Sequence, residues 1–207
     1  MEKIEKDLSD LYEEYAQNFT DRALVFGDGK FGVSIMLIGE APGKDEIAQG
    51  KPFVGKAGKN LNEFLESINL NRTDIFITNV IKYKLFKVNP ISGRESNRPA
   101  LREEIESSIS YLHREINIIS PQIIVTLGNV PLRAVLNDFS PKSTIGLAHG
   151  RIRDAVINSE KYFLYPLYHP ASIIYNQSLK SVYSDDVRNL KNEIDILTLN
   201  NDGGIII

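Results

Sequence analysis

Four runs of apolar residues, at 33–39, 74–80, 122–127 and 161–168, are rich in Ile, Val, Phe and Tyr and show little polar alternation. That pattern suits strands covered on both faces. Between them the apolar spacing changes to three and four. Leu61, Phe64, Leu65 and Ile68 mark a helix over 58–69, and Leu101, Ile105, Ile109, Leu112, Ile116 and Ile119 another over 99–119. In the second, Pro99 suits a first helical turn, with Glu103 and Glu104 near the positive helix end. Segments 2–18, 129–137 and 180–197 are weaker helical candidates. Strands alternating with helices predict βαβ units, hence an α/β fold around a central parallel sheet of four strands. Residues 84–97 read as a long loop, and 200–207 as a poorly ordered C-terminal tail after a single domain over 1–199.

The polar residues that close these runs carry the functional signal. Glu40, Asn79, Gly128 and His169 each fall just past the carboxyl end of a predicted strand. Ligands of open α/β sheets bind at that edge, in the crevice between loops. One such residue would mean little, whereas Glu40, Asn79 and His169 converging there would make a site.

Composition narrows the classes. A chain of 207 residues with 42% hydrophobic and 25% charged residues is that of an ordinary globular domain with a substantial core. A net charge of −3 and a pI near 5.7 do not mark a nucleic-acid binder, so contact with DNA would need a local positive surface. The absence of cysteine excludes disulfides, thiolate catalysis and cysteine-ligated metals. The charged N-terminus lacks a signal-peptide apolar region, and no apolar run approaches the roughly 20 residues that span a bilayer. The expectation is a cytoplasmic monomer that takes no membrane.

Glu40 follows a strand and opens the loop Glu40-Ala-Pro-Gly43. A surface carboxylate in a turn is the plain reading. The chemical one is a carboxylate that orients water or stabilises positive charge on a sugar. This loop lacks the Gly-Lys-Ser/Thr of a phosphate-binding Walker loop and the three glycines of a dinucleotide fingerprint. Phe53, in Gly50-Lys-Pro-Phe-Val-Gly55, suits either a loop anchor or a ring stacked on a base. Asn79 is either a turn residue or an amide that offers a donor and an acceptor on one planar group, as reading the edge of a base requires. His169 offers an uncharged donor tautomer near neutral pH, on a turn that Pro170 stiffens. His113 and His149 read as structural.

Gly39-Glu-Ala-Pro-Gly43, Pro52-Phe-Val-Gly55-x-Ala57-Gly58, Thr78-Asn79-Val80-x-Lys82 and Tyr168-His169-Pro170-Ala171-x-x-Ile174 occur in this order. Together they make the chain resemble the uracil-DNA glycosylase superfamily, closest to its family 4, from roughly residue 10 to residue 195. The resemblance implies a doubly wound parallel sheet, a uridine flipped out of DNA, and hydrolysis of its N-glycosidic bond. By motif position it makes Glu40 and His169 catalytic, the latter as donor to uracil O2. It makes Phe53 the stacking ring, Asn79 the base reader, and Ala41 and Glu46 further parts of the substrate pocket. Ser172, Ile173 and Ile174 correspond to the segment that enters the duplex, while Lys82, Arg98 and the lysines at 44, 51, 56, 59 and 84 are candidate phosphate contacts.

Family 4 carries an iron–sulfur cluster on four cysteines. Here those positions align with Tyr12, Tyr15, Tyr83 and Ser108, so the reading is of a glycosylase without cofactor, whose former cluster site is a packed patch. The segment 84–99 is also longer than the family connection. The reading is therefore a uracil-DNA glycosylase initiating base-excision repair on uracil-containing DNA. Its alternatives are a glycosylase for another deaminated or damaged base and a non-catalytic nucleic-acid or protein binder that keeps the fold.

Overall fold

The computed structural model describes residues 1–202, without the side chains of 174, 175 and 198–202. Its strands are β1 (Asp28–Gly29), β2 (Ile35–Gly39), β3 (Phe76–Asn79), β4 (Phe86–Val88), β5 (Glu95–Asn97), β6 (Ile123–Leu127), β7 (Arg153–Ile157) and β8 (Glu160–Leu167). The helices are α1 (Glu2–Asn18), α2 (Lys44–Gln49), α3 (Lys56–Ser67), α4 (Arg102–Ile119), α5 (Asn129–Leu136), α6 (Ile145–Ala148), α7 (Pro170–Tyr175) and α8 (Leu179–Asp202). The main sheet runs β1-β3-β2-β6-β8-β7. Its centre is the expected four parallel strands, β3-β2-β6-β8. Short β1 and β7 add antiparallel edges, which the sequence reading lacked.

The apolar runs feed two cores because successive strand residues point to opposite faces. Met36, Ile38, Phe76, Ile124 and Leu164 face the core under α1, α4 and α5. Ile35, Leu37, Ile77, Val125 and Tyr165 face the other, under α3 and α8. Each strand is apolar on both faces for that reason. β3 and β6 lie on opposite sides of β2, so the winding reverses there. The crevice of a doubly wound sheet opens at such a switch point, beyond the carboxyl ends of the strands.

Several boundaries differ from the sequence reading. The expected long loop at 84–97 is a hairpin of β4 and β5, paired from Phe86 with Asn97 to Val88 with Glu95. Pro99 stands ahead of α4 instead of in its first turn. The helix starts after Leu101, whose backbone N–H donates to Glu104. α8 runs three residues into the expected tail, and 203–207 lie outside the described residues.

The four positions aligned with cluster ligands form an aromatic patch between α1 and α4. The Tyr12 ring stacks on Phe26 with centroids 4.3 Å apart, and Tyr15 stacks on Phe19 at 4.5 Å. Tyr83 lies against the same Phe19 at 5.3 Å, and the Tyr15 hydroxyl is 3.4 Å from Ser108 Oγ. Phenols and an alcohol packed in this way do not fit a cluster that needs thiolates. Ring packing and hydrogen bonds hold α1 down instead. Tyr15, 1% exposed, is the centre of the patch. Tyr15→Ala should lower the unfolding free energy by about 3–5 kcal/mol in denaturant titration, and Tyr15→Phe by about 1 kcal/mol. A loss below 1 kcal/mol for the alanine variant would contradict this role.

Candidate active site

At the carboxyl edge of the sheet, a cavity of about 440 Å³ is lined by Ala41, Lys44, Glu46, Phe53, Lys56, Asn79, Asn97, His169 and Ala171 among others. Cavities of about 530 Å³ between α3 and α8, and about 870 Å³ at the opposite end of the sheet, gather none of the motif residues with polar chemistry. The smaller cavity is therefore the site.

Asn79 ends β3, directly beside Gly39 at the end of β2. A side chain at Gly39 would place its Cβ 2.4 Å from Asn79 Oδ1 and 2.5 Å from the Phe53 ring, so only glycine lets these two groups meet. Asn79 is 2% exposed, yet among the described residues its amide has no hydrogen-bond partner. It lines the cavity with that amide.

Phe53 is held in a conformation that a phenylalanine rarely adopts, with φ +52°. Three contacts impose it. The Arg72 guanidinium donates to the Pro52 and Phe53 carbonyls. A Cβ at Gly58 would sit 1.9 Å from the Phe53 carbonyl oxygen, so α3 accepts the loop only at a glycine. Glu46 accepts from the N–H groups of Val54 (2.9 Å), Gly55 (2.7 Å) and Gly43 (3.0 Å). Glu46 thus lines the pocket as expected, but its carboxylate is spent on tying the two motif loops together. Backbone strain of this kind is sustained by such surroundings.

His169 caps α7. Its Nδ1 accepts the Ala171 N–H at 3.1 Å, which requires Nδ1 to be unprotonated and leaves the proton on Nε2. Burial pushes its pKa below the usual histidine value, so the ring is neutral near pH 7. The site therefore holds a neutral Nε2–H donor. Its ring lies 6.3 Å from that of Phe53, with the planes 29° apart.

Glu40 lies one residue beyond β2, half-buried, with one oxygen accepting the Ala100 N–H at 3.0 Å. Its other oxygen has no protein partner among the described residues. Burial raises its pKa above the usual carboxylate value, against the Ala100 bond that lowers it. Its neighbour Ala41 lines the cavity, but Glu40 does not.

Two expected phosphate contacts are corrected. Lys82 is 2% exposed, and its ammonium donates to Glu115 Oε2 (2.7 Å), Thr78 Oγ1 (2.6 Å) and the Asn79 carbonyl (2.7 Å). All three donors are used inside the protein. Arg98 forms a two-pronged pair with Glu104 and also bonds the Phe86 and Pro99 carbonyls. Exposed Lys44 and Lys56 do line the mouth. Ser172 and Ile173 belong to α7 instead of a loop, and Ile173 lines the groove beside α3 and α8. The Ile174 side chain lies outside the described residues. Asn97, from the hairpin, and Arg72, which holds the Phe53 loop, have no counterpart in the sequence reading, whereas Gly58 was part of the second motif with no role given. His113 and His149 are structural as read, bonded to the Ala134 carbonyl and to Asp186.

The sequence profile of the Uracil DNA glycosylase superfamily matches residues 26–191. A type-4 uracil-DNA glycosylase from Archaeoglobus fulgidus is 36% identical over 165 residues, 79% of this chain and 78% of its own. One from Saccharolobus solfataricus is 37% identical over 80% of this chain and 73% of its own. A third, from Sulfurisphaera tokodaii, is 33% identical over 92% and 83%. With the profile spanning most of its length, this chain belongs to the uracil-DNA glycosylase superfamily.

Proposed function

We infer that the chain is a uracil-DNA glycosylase, hydrolysing the N-glycosidic bond of a deoxyuridine flipped out of DNA. The observation that carries this reading is the pairing of two free groups in one pocket, the unpartnered Asn79 amide and the neutral Nε2–H of His169. The amide matches O4 and N3–H of uracil, and the imidazole matches O2. Uracil leaves as an anion, so a donor already aimed at O2 lowers the barrier as charge arrives there. A neutral donor stabilises that charge without giving up its proton. Phe53 stacks on the extruded base, and closure around it offsets the few kcal/mol that flipping costs. Glu40, next to the lining residue Ala41 and with one oxygen free, is assigned the water or the cationic sugar at the edge of the cavity. The exposed cations that line the cavity, Lys44 and Lys56, support phosphate contact beside the acid Asp45. No step passes through an iron–sulfur cluster.

The purified protein should release uracil from DNA with chelator present. No release from either single- or double-stranded uracil DNA by folded protein would refute the reading and favour a binding role. His169→Ala should slow the single-turnover step roughly 10²–10³-fold, the usual effect of removing one such donor, with DNA affinity nearly unchanged. Asn79→Ala should instead weaken the preference for uracil.

The pH profile carries a sign. Glu40 acts ionised and His169 acts neutral, so both are disabled by acid. The rate should therefore rise with pH and level off by neutrality, with an acid limb above the ordinary carboxylate range because burial raises Glu40. A rate that instead falls as pH rises past the histidine range would mean an imidazolium donor and contradict the assignment.

A further inference from the structure

The base reader has no side-chain partner, so its aim depends on the backbone that carries it. That backbone is held from below by a buried polar network outside the pocket. Lys82 donates to the Asn79 carbonyl at 2.7 Å and to Glu115 Oε2 at 2.7 Å. Thr78 Oγ1 lies 3.1 Å from both oxygens of Glu115 and accepts from Lys82. The Tyr12 hydroxyl, on α1, donates to Glu115 Oε1 at 2.5 Å. Tyr15 accepts the Lys82 backbone N–H at 3.2 Å. Glu115 is 0% exposed and Lys82 2%, so neither charge has water to fall back on. The segment they hold also donates Val80 N–H to the Gly39 carbonyl and Ile81 N–H to that of Glu40.

We propose that Tyr12 is a positioning residue for uracil recognition, acting through Glu115 and Lys82 to fix the Asn79 peptide. This deepens the glycosylase reading and rests on it for its kinetic test. A carboxylate buried between one ammonium and one phenol has its place set by both. Removing the phenol leaves Oε1 with only the bond shared with Thr78, and a buried carboxylate short of donors shifts to regain them. Lys82 follows its counter-ion, and the Asn79 carbonyl follows Lys82. The Tyr12 position, which aligns with a cluster cysteine, thus connects α1 to the base reader by hydrogen bonds where the donor set cannot hold a metal.

The test is a double-mutant cycle. Tyr12→Phe keeps the ring on Phe26 and removes only the hydroxyl. It should slow single-turnover uracil release roughly five- to tenfold, the worth of about one hydrogen bond, but have little further effect in an Asn79→Ala background. Tyr162→Phe removes a comparable hydroxyl, bonded to Asn117 at 3.1 Å, away from the pocket and should leave the rate unchanged. If Tyr12→Phe slows both backgrounds equally, or neither, the positioning role is overturned while the glycosylase reading stands. Amide hydrogen exchange supplies a readout independent of activity. In Tyr12→Phe, Val80 and Ile81 should exchange faster while β6 and β8 keep their protection. Unchanged exchange at Val80 and Ile81 would overturn the proposal whether or not uracil is released. Should Tyr12→Phe prove unstable, Lys82→Met with Glu115→Leu removes the pair without leaving an unpaired charge. The same local rise in exchange is then expected, and its absence counts against the proposal.

Discussion

A lysine ammonium with almost no access to water sits under the end of β3, and the pocket is arranged around the bonds it makes. Burying a charge is costly unless it is paired and fully hydrogen-bonded. Lys82 meets both conditions, with a carboxylate, a hydroxyl and a main-chain carbonyl on its three protons. Burial still pushes its pKa down, and Glu115 opposes that push. Replacing such a pair by apolar residues is often neutral, whereas breaking it by removing one partner costs about 3–5 kcal/mol. Its presence is therefore weak evidence for stability. Its geometry is better evidence for placement, since it fixes the strand end from which Asn79 projects.

The pocket follows from that strand end and from three close approaches. Gly39 lets Asn79 and Phe53 meet, Gly58 lets the Phe53 loop settle on α3, and Glu46 joins the two loops through three backbone N–H groups. On the far side, the N-cap of α7 selects the tautomer of His169. On the proposed reading, recognition and catalysis rest on groups prepared before DNA arrives. Preorganisation is what makes a donor effective as charge develops.

Much of this was legible in the sequence, and the failures have physical causes. The four central strands were visible because their residues feed two cores, which leaves continuous apolar runs. β7 was not, because only Ala155 and Ile157 point inward along Arg153–Ile157. Its turn to β8 uses Asn158 and Ser159, both at positive φ, with no glycine to announce it. The β4–β5 hairpin is almost wholly exposed and so lacks the apolar alternation that marks a strand. Among the site residues, Glu40, Asn79 and His169 sit where strand ends put them, and Phe53 on the Gly/Pro-rich loop between α2 and α3. Lys82 looked like a surface cation because its partner is Glu115, 33 residues away on α4. The Arg72 contact to the Phe53 loop is equally silent, since nothing local to either segment requires it.

In the proposed mechanism a neutral His169 donates to uracil O2. The most direct measurement is nitrogen-15 NMR of the histidine rings while abasic-site DNA and free uracil are added. Before addition, His169 should show the Nε2-protonated neutral tautomer, titrating below the usual histidine value. On addition, its Nε2 proton should move downfield while Nδ1 stays unprotonated. A ring that is protonated on both nitrogens in the complex, or one that does not respond to uracil, would contradict the account.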